Sequence, residues 1–271
     1  MPANNLTILF LGDIYGSVGR KTIKNLLPRL IKKLKPDLVI ANAENSAHGS
    51  GVTNATIAEL QSYGIDYFTA GDHAFDRLEQ AKTVYSELPI VRPANFPPML
   101  PGKEFAIIPT KKGDVLLFAL LGRVFMPMQY DCPFRKADQI LANNDFANKN
   151  FSAILVDIHA ETTAEKSCLK HYLDGRVSAV LGTHTHIMTA DALISKKGTG
   201  SITDVGMVGI TDHSIGLDIS GATKTLITQI KQVRRVPESG KSQLNGVFLT
   251  VNTKTAKTVA IEPIIEYTNI K

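Results

Sequence analysis

Leu181-Gly182-Thr183-His184-Thr185-His186-Ile187 reads as a short apolar strand closed by Gly-Thr and followed at once by two histidines with one residue between them. Strand alternation would send the two rings to opposite faces, so they converge only if the chain turns just after Gly182. Four earlier apolar runs end in the same way. Leu6 to Leu11 is followed by Asp13, Leu38 to Ala43 by Glu44 and Asn45, Tyr67 to Ala70 by Asp72 and His73, and Ala153 to Ile158 by His159. Ligand sites of open α/β sheets lie outside the carboxyl ends of the strands, where the sheet holds the roots of the loops in place. Five strand ends that each deliver Asp, Glu, Asn or His predict one site assembled from the whole fold.

Taken singly, each residue has a duller role. Asp13 after Gly12 can cap a turn, Glu44-Asn45 can be a polar loop, and a lone His73 or His159 is more often a hydrogen-bonded structural histidine than a ligand. Their joint recurrence at strand ends is what favours a site. The donors are hard oxygens and imidazoles without sulfur, which suits Mn, Fe, Zn or Ni. Eight candidate donors exceed what one ion needs. Two ions sharing a carboxylate, about 3.5 to 4 Å apart, would use them and would suit the hydrolysis of phosphate esters. His171 and His213 show no such pattern and read as surface or structural groups, and His48 as a group that either supports the ligands from behind or lines the pocket.

A chain of 271 residues, 44% hydrophobic and 20% charged, can bury the core of one large domain, residues 1–271. Its apolar runs are far shorter than the roughly 18 residues that span a bilayer, and no signal-type segment opens it, so the expected location is cytoplasmic. Cys132 and Cys168 are too few and too far apart to suggest a disulfide framework or a thiolate zinc site. The net charge of +5 favours anionic ligands such as phosphates. The basic residues are spread over Lys32, Lys33, Lys35, Lys111, Lys112, Lys196, Lys197, Arg234 and Arg235 and are not interleaved with aromatics, so solvated faces rank above an extended nucleic-acid surface.

Periodicity predicts helices over Arg20 to Leu34, Thr53 to Tyr63, Asp76 to Leu88, Arg135 to Phe146, Thr163 to Tyr172 and Ala222 to Val233. Gly16-Ser17-Val18-Gly19 reads as a loop. Phe105 to Ile108 and Val115 to Leu121 read as a hairpin, and Asn245 to Asn252 with Lys257 to Ile265 as a closing one. Alternating βα units on either side of a strand-rich middle predict an α/β fold of two packed β-sheets flanked by helices. Two glycine patterns are decoys. Gly12, Gly16 and Gly19 lack the dinucleotide-binding spacing, and Gly240-Lys241-Ser242 lacks the upstream glycine of a phosphate-binding loop and reads as a surface turn.

Phe10-Leu11-Gly12-Asp13-Ile14-Tyr15-Gly16, Asn42-Ala43-Glu44-Asn45-Ser46-Ala47-His48-Gly49, Gly71-Asp72-His73, Val91-Arg92-Pro93-Ala94-Asn95-Phe96-Pro97, Asp157-Ile158-His159-Ala160-Glu161, Gly182-Thr183-His184-Thr185-His186 and Thr203-Asp204-Val205-Gly206-Met207 resemble, in order, the segments of the calcineurin-like metallophosphoesterases. The chain is most similar to their YmdB-type branch, known as 2′,3′-cyclic-nucleotide 2′-phosphodiesterases. The resemblance implies a metallophosphoesterase-like αββα sandwich and a dinuclear centre. Asp13, Asn45 and His186 would hold one metal, Asp72, His159 and His184 the other, Glu44 would bridge them, and His73 would be the proton donor. It implies Fe or Mn foremost, with Zn, Ni or Mg as alternatives, attack on a small nucleotide phosphoester by a metal-activated water, and a homo-oligomer.

One position departs from that pattern, since the family's motif places Asn where this chain has Asp72. The added negative charge should tighten metal binding and weaken the pull on a phosphate. A phosphomonoesterase at the same centre, and a non-catalytic metal-containing regulatory or RNA-associated protein, stay open as rival readings.

Overall fold

In β1 (Asn5–Leu11) the residues after Asn5 are all buried, because the strand has an apolar neighbour on each face. Leu6, Ile8 and Phe10 point to one side and Leu9 and Leu11 to the other, as a period of two requires. This computed structural model describes residues 4–146, 149–233 and 235–271. Along them run β2 (Asp13–Ile14), α1 (Gly16–Leu34), β3 (Leu38–Asn42), α2 (Asn54–Ser62), β4 (Tyr67–Thr69), α3 (Leu78–Glu87), β5 (Phe105–Ile108) and β6 (Val115–Leu121). Then come α4 (Pro133–Leu141), a 3₁₀ turn (Asn144–Phe146), β7 (Ala153–His159), α5 (Thr163–Tyr172), β8 (Ala179–Thr183), β9 (Leu193–Ile194), β10 (Gly200–Ile202), β11 (Met207–Ile210), α6 (Ile219–Thr228), β12 (Gly240–Asn252) and β13 (Lys257–Ile270).

The strands form a seven-stranded sheet, ordered β2-β11-β12-β1-β3-β4 with β13 on β12, and a six-stranded sheet, ordered β5-β6-β7-β8-β10-β9. Leu6, Ile8 and Phe10 of the first sheet meet Val115, Leu117 and Leu155 of the second in the core between them. Leu9 and Leu11 pack under Ile23 and Leu27 of α1, with Ile57 of α2 and Val84 of α3 in the same cluster. On the far side Phe118 and Val156 pack with Ile140 of α4 and Leu169 of α5. The result is the α/β architecture expected, two sheets face to face with helices outside each.

Several boundaries differ from the sequence expectation. α1 starts at Gly16, not Arg20, so the glycines of the expected loop form its first turn. Gly19 is there for contact, since a Cβ on it would stand 2.5 Å from the Val208 carbonyl oxygen of β11. α3 begins at Leu78, and α4 stops at Leu141, short of Phe146. α6 ends at Thr228 because Gln229 turns left-handed (φ 57°), so the helix expected up to Val233 is cut short. Gly240-Lys241-Ser242 is no surface turn. It opens β12, and Ser242 is buried with its hydroxyl 2.5 Å from that of Thr22 on α1. The hairpin β5–β6 opens the second sheet, in which β6 continues into parallel pairing with β7 and β7 with β8. Arg234 lies outside the described residues.

Both sheets present their carboxyl ends at one edge, fastened by a buried polar pin. Asp157 of β7 accepts hydrogen bonds from Asn42 Nδ2 (3.2 Å) and Thr69 Oγ1 (2.5 Å) of the first sheet and from Thr183 Oγ1 (2.7 Å) of β8. Burial pushes its carboxyl up to about 6, even with the His159 ring and these donors working against the shift.

Candidate metal centre

The turn demanded after Gly182 is present. β8 ends at Thr183, and His184 (φ 96°) and His186 (φ 65°) both stand in the left-handed region, which brings the two rings to the same side. For non-glycine residues that region costs about 1–2 kcal/mol each, so the surroundings must hold the turn in place. The His184 amide donates to Asp13 Oδ2 (3.2 Å).

Asp13, Glu44, Asn45, Asp72, His73, His159, His184 and His186 all meet at the carboxyl edge. Glu44, Asp72, His159 and His184 each place one donor atom within 4.8 Å of the others. His159 Nε2 is 3.0 Å from Glu44 Oε1, 3.1 Å from Asp72 Oδ1 and 3.0 Å from His184 Nδ1, and His184 Nδ1 is 3.4 Å from Asp72 Oδ1. Donors each about 2.1 Å from a common ion and at right angles to one another stand about 3.0 Å apart, so these spacings suit a shared cation. The far nitrogens are tied. His159 Nδ1 faces Thr183 Oγ1 (2.9 Å) and His184 Nε2 faces Glu161 Oε2 (3.1 Å), which leaves His159 Nε2 and His184 Nδ1 aimed inward. Gly71 is required beside them, because a Cβ there would lie 2.3 Å from Glu44 Oε2 and from His159 Nε2.

The other half consists of Asp13, Asn45 and His186. His186 Nδ1 donates to the Ile215 carbonyl (2.9 Å), and the ring meets Tyr15 edge-on, centroids 5.3 Å apart. Its Nε2 then faces Asn45, 3.4 Å from Nδ2. Asn45 Nδ2 also donates to Glu44 Oε1 (3.0 Å), which joins the two halves. Asp13 Oδ1 and Asn45 Oδ1 are buried and, among the described residues, meet no hydrogen-bond donor. An unsatisfied buried acceptor costs about 1–3 kcal/mol, and a bound cation would satisfy both. The donor set and its orphaned oxygens therefore fit the divalent metals that the sequence suggested.

The electrostatics agree. Burial resists charge on His159, yet Glu44, Asp72 and Asp13 hold its imidazole well above the ordinary value, so the cage attracts positive charge. Burial raises the Asp13 carboxyl, and the nearby His186 and His159 rings do not fully offset it. Burial likewise resists ionisation of Asp72, but bonds to His159 and His184 keep its carboxyl far below the usual range.

His73 sits at the rim. Its amide donates to Glu44 Oε2 (3.1 Å) and its Nδ1 lies 2.7 Å from Asp76 Oδ2, with Ser50 bonded to the same carboxylate. Burial lowers the affinity of the ring for a proton, but Glu44, Asp72 and Asp76 together raise it above the ordinary value. A cavity of about 480 Å³ opens in front, walled by Tyr15, His48, Ile215, Leu217 and Val236 away from the cage. His48 is thus a pocket group, as expected. His171 is exposed on α5, and His213 lies 3.9 Å from Asp218, away from the cage. Cys132 and Cys168 are free thiols. Asn95 is structural, bonding the Leu121 backbone on both its N–H (2.7 Å) and its carbonyl (2.8 Å).

Asp76, Glu161, Thr183 and Asp157 are functional positions that the strand-end pattern does not single out. Asp76 lies three residues after His73 and Glu161 two after His159, each beyond the residues that directly follow the apolar run.

A two-sheet α/β sandwich whose strands deliver carboxylates, an amide and imidazoles to one edge defines a metal-binding hydrolase architecture. A family model described as YmdB-like protein matches residues 9–264, and the chain belongs to that family. It is 42% identical over 260 residues to the 2′,3′-cyclic-nucleotide 2′-phosphodiesterase of Bacillus subtilis, covering 96% of this chain and 97% of that one. Among solved structures it superposes on a novel phosphatase from Mycoplasma pneumoniae with a TM-score of 0.91 at 33% identity, covering 98% and 95% of the two chains. A hypothetical protein from Thermus thermophilus gives a TM-score of 0.88 at 37% identity, covering 97% and 99%. Among the described residues no helix is long and apolar enough to cross a membrane.

Proposed function

We propose that the chain is a single metallophosphoesterase domain, residues 1–271, that hydrolyses 2′,3′-cyclic nucleotides at the 2′ oxygen and leaves 3′-phosphates. The observation that carries the metal-dependent hydrolase is the cage itself, with two buried oxygens, Asp13 Oδ1 and Asn45 Oδ1, that no donor among the described residues satisfies. The cyclic-nucleotide substrate is drawn from the B. subtilis relative.

In this reading Asp13, Asn45 and His186 hold one cation, Asp72, His159 and His184 the other, and Glu44 reaches both. Fe or Mn suits the mixed oxygen and imidazole set best, ahead of Zn, Ni or Mg. Bound there, two cations would activate water and neutralise charge on the phosphoryl group. The protein's own part is to aim the ligands and to move a proton. Asp76 fixes His73 through Nδ1 (2.7 Å), which leaves Nε2 to carry the proton that the departing ribose oxygen takes. The apolar wall of Tyr15, Ile215, Leu217 and Val236 suits the sugar and base.

The test is a panel of 2′,3′-cyclic nucleotides, a linear aryl diester and phosphomonoesters on purified protein with Mn²⁺ or Fe²⁺. His73→Ala is expected to keep its metals and lose roughly 10²- to 10⁴-fold in turnover. A full-rate His73→Ala enzyme removes the acid assignment, and tight metal without hydrolysis of any ester favours the regulatory reading. The phosphatase description of the M. pneumoniae structure keeps a phosphomonoesterase as second reading, which the monoester arm decides.

A further inference from the structure

The crossover Thr203-Asp204-Val205-Gly206, from β10 in one sheet to β11 in the other, runs through a narrow gap behind the histidine turn. A Cβ on Gly182 would stand 1.7 Å from the Thr203 carbonyl oxygen, and a Cβ on Gly12 1.7 Å from that of Gly206. The Val205 amide donates to the Gly182 carbonyl (2.8 Å), and the Asp13 amide to that of Gly206 (3.2 Å). The crossover therefore touches both Gly12-Asp13, just beyond β1, and Gly182, near the end of β8.

Asp204 is fully buried at its centre. Its Oδ1 accepts from the Gly206 amide (2.7 Å), and its Oδ2 from the Thr185 amide (3.0 Å) and hydroxyl (2.7 Å). Lys166 of α5, itself buried, donates to the same Oδ2 at 2.7 Å, its stem running beneath Gly182. Removing one partner of a buried ion pair leaves the other without its countercharge, so Lys166 and Asp204 hold each other in place. Thr185 is the residue between His184 and His186. Asp13 Oδ2 thus grips the amide of His184, and Asp204 Oδ2 the amide that follows. Glu161 and the Ile215 carbonyl orient the rings, but the two aspartates hold the backbone.

We infer that Asp204, paired with Lys166, is a positioning residue that holds Thr185 and the His186 side of the turn, keeps the His186 imidazole aimed into the cage and so sets the affinity for the cation on Asp13, Asn45 and His186. This rests on the metal reading above. Its test is Mn²⁺ titration by calorimetry on the metal-stripped full chain, with electron paramagnetic resonance to separate coupled Mn²⁺ pairs from isolated ions.

The unaltered chain is expected to take two ions. Asp204→Asn and Lys166→Met should weaken one of them by about 10- to 100-fold, the usual range for a partner of a ligand, and replace the coupled signal by an isolated one. Lys166→Arg should restore the pair. Asp37→Asn, destabilising but at the opposite end of the strands, should leave both affinities unchanged. Wild-type affinities in folded Asp204→Asn overturn the inference. If that variant does not fold, Thr185→Val, which deletes only the hydroxyl bond, decides: weaker binding of one ion supports the role, and unchanged binding reduces Asp204 to a fold-holding group. An unaltered chain that takes no ion pair sinks the metal reading itself, which is a separate result.

Discussion

The two ends of the parallel strands treat acidic side chains in opposite ways. At the amino ends Asp37 accepts from the Thr7 amide (2.7 Å) and hydroxyl (2.9 Å) and from Lys112 Nζ (2.8 Å). Burial pushes its carboxyl up, and the bonds from Lys112 and Thr7 more than reverse that. At the carboxyl ends Asp13, Glu44 and Asp72 face imidazoles, and among the described residues no lysine or arginine pairs with them. One end carries its own countercharge. The other sets its acids against imidazoles that can themselves ligate a cation, and that asymmetry separates the part that holds the fold from the part that does chemistry.

The sharpest way to break the comparison is to remove the carboxylate proposed to serve both ions. Glu44→Ala should release both ions and lower turnover by about 10³-fold, comparable to losing a principal charge-stabilising group. A variant that keeps two ions by metal analysis would show that Glu44 is not shared. Next in size is metal removal from the unaltered chain. Ions at 100 times their dissociation constant stabilise by about 2.7 kcal/mol, so chelation should lower the melting temperature by several degrees in scanning calorimetry. An unmoved transition would mean that the carboxyl end is as self-sufficient as the amino end.

Smaller effects separate the halves of the cage. Asn45→Ala should weaken one of two ions about tenfold, roughly 1.4 kcal/mol, and leave the other unchanged in the same Mn²⁺ titration. Asp72→Asn removes a negative charge from the other half, so that ion should bind several-fold more weakly while turnover rises. Slower turnover in Asp72→Asn would refute the view that the extra charge opposes the phosphate.

The smallest effect belongs to the amino end. Asp37→Asn should lose about 1 kcal/mol at pH 7. A carboxyl held below its ordinary value stabilises the fold above its unfolded pKa of about 3.9, and that stability is lost as pH falls through the lowered folded value. The gap between variant and parent in denaturant titration should therefore close in acid, and a gap that persists below about pH 2 would point to packing instead.

The eight cage residues are legible in the sequence because each follows an apolar run, and the position of a strand end is a strong signal in one sequence. What stays hidden there is whatever acts from beside the strands. Asp76 and Glu161 look like ordinary surface carboxylates until the fold sets them against His73 and His184. Lys166 resembles any helical lysine, and its burial against Asp204 depends on a contact between distant segments. The first turn of α1 reads as a loop because Gly16 and Gly19 suggest freedom, whereas the packed structure uses the missing side chain of Gly19 to bring α1 against β11 and that of Gly16 to make room for Val236. The layered architecture itself follows from the uninterrupted apolar strands, which need cover on both faces.

β12 lies beside β1 in the middle of the seven-stranded sheet, although it comes from residues near the end of the chain. Neither the acidic nor the histidine-bearing sheet can grip an ion alone, and the acidic one is incomplete until that late strand arrives. Ion capture is therefore expected to report the completed pairing of segments far apart in the sequence rather than the folding of either sheet by itself.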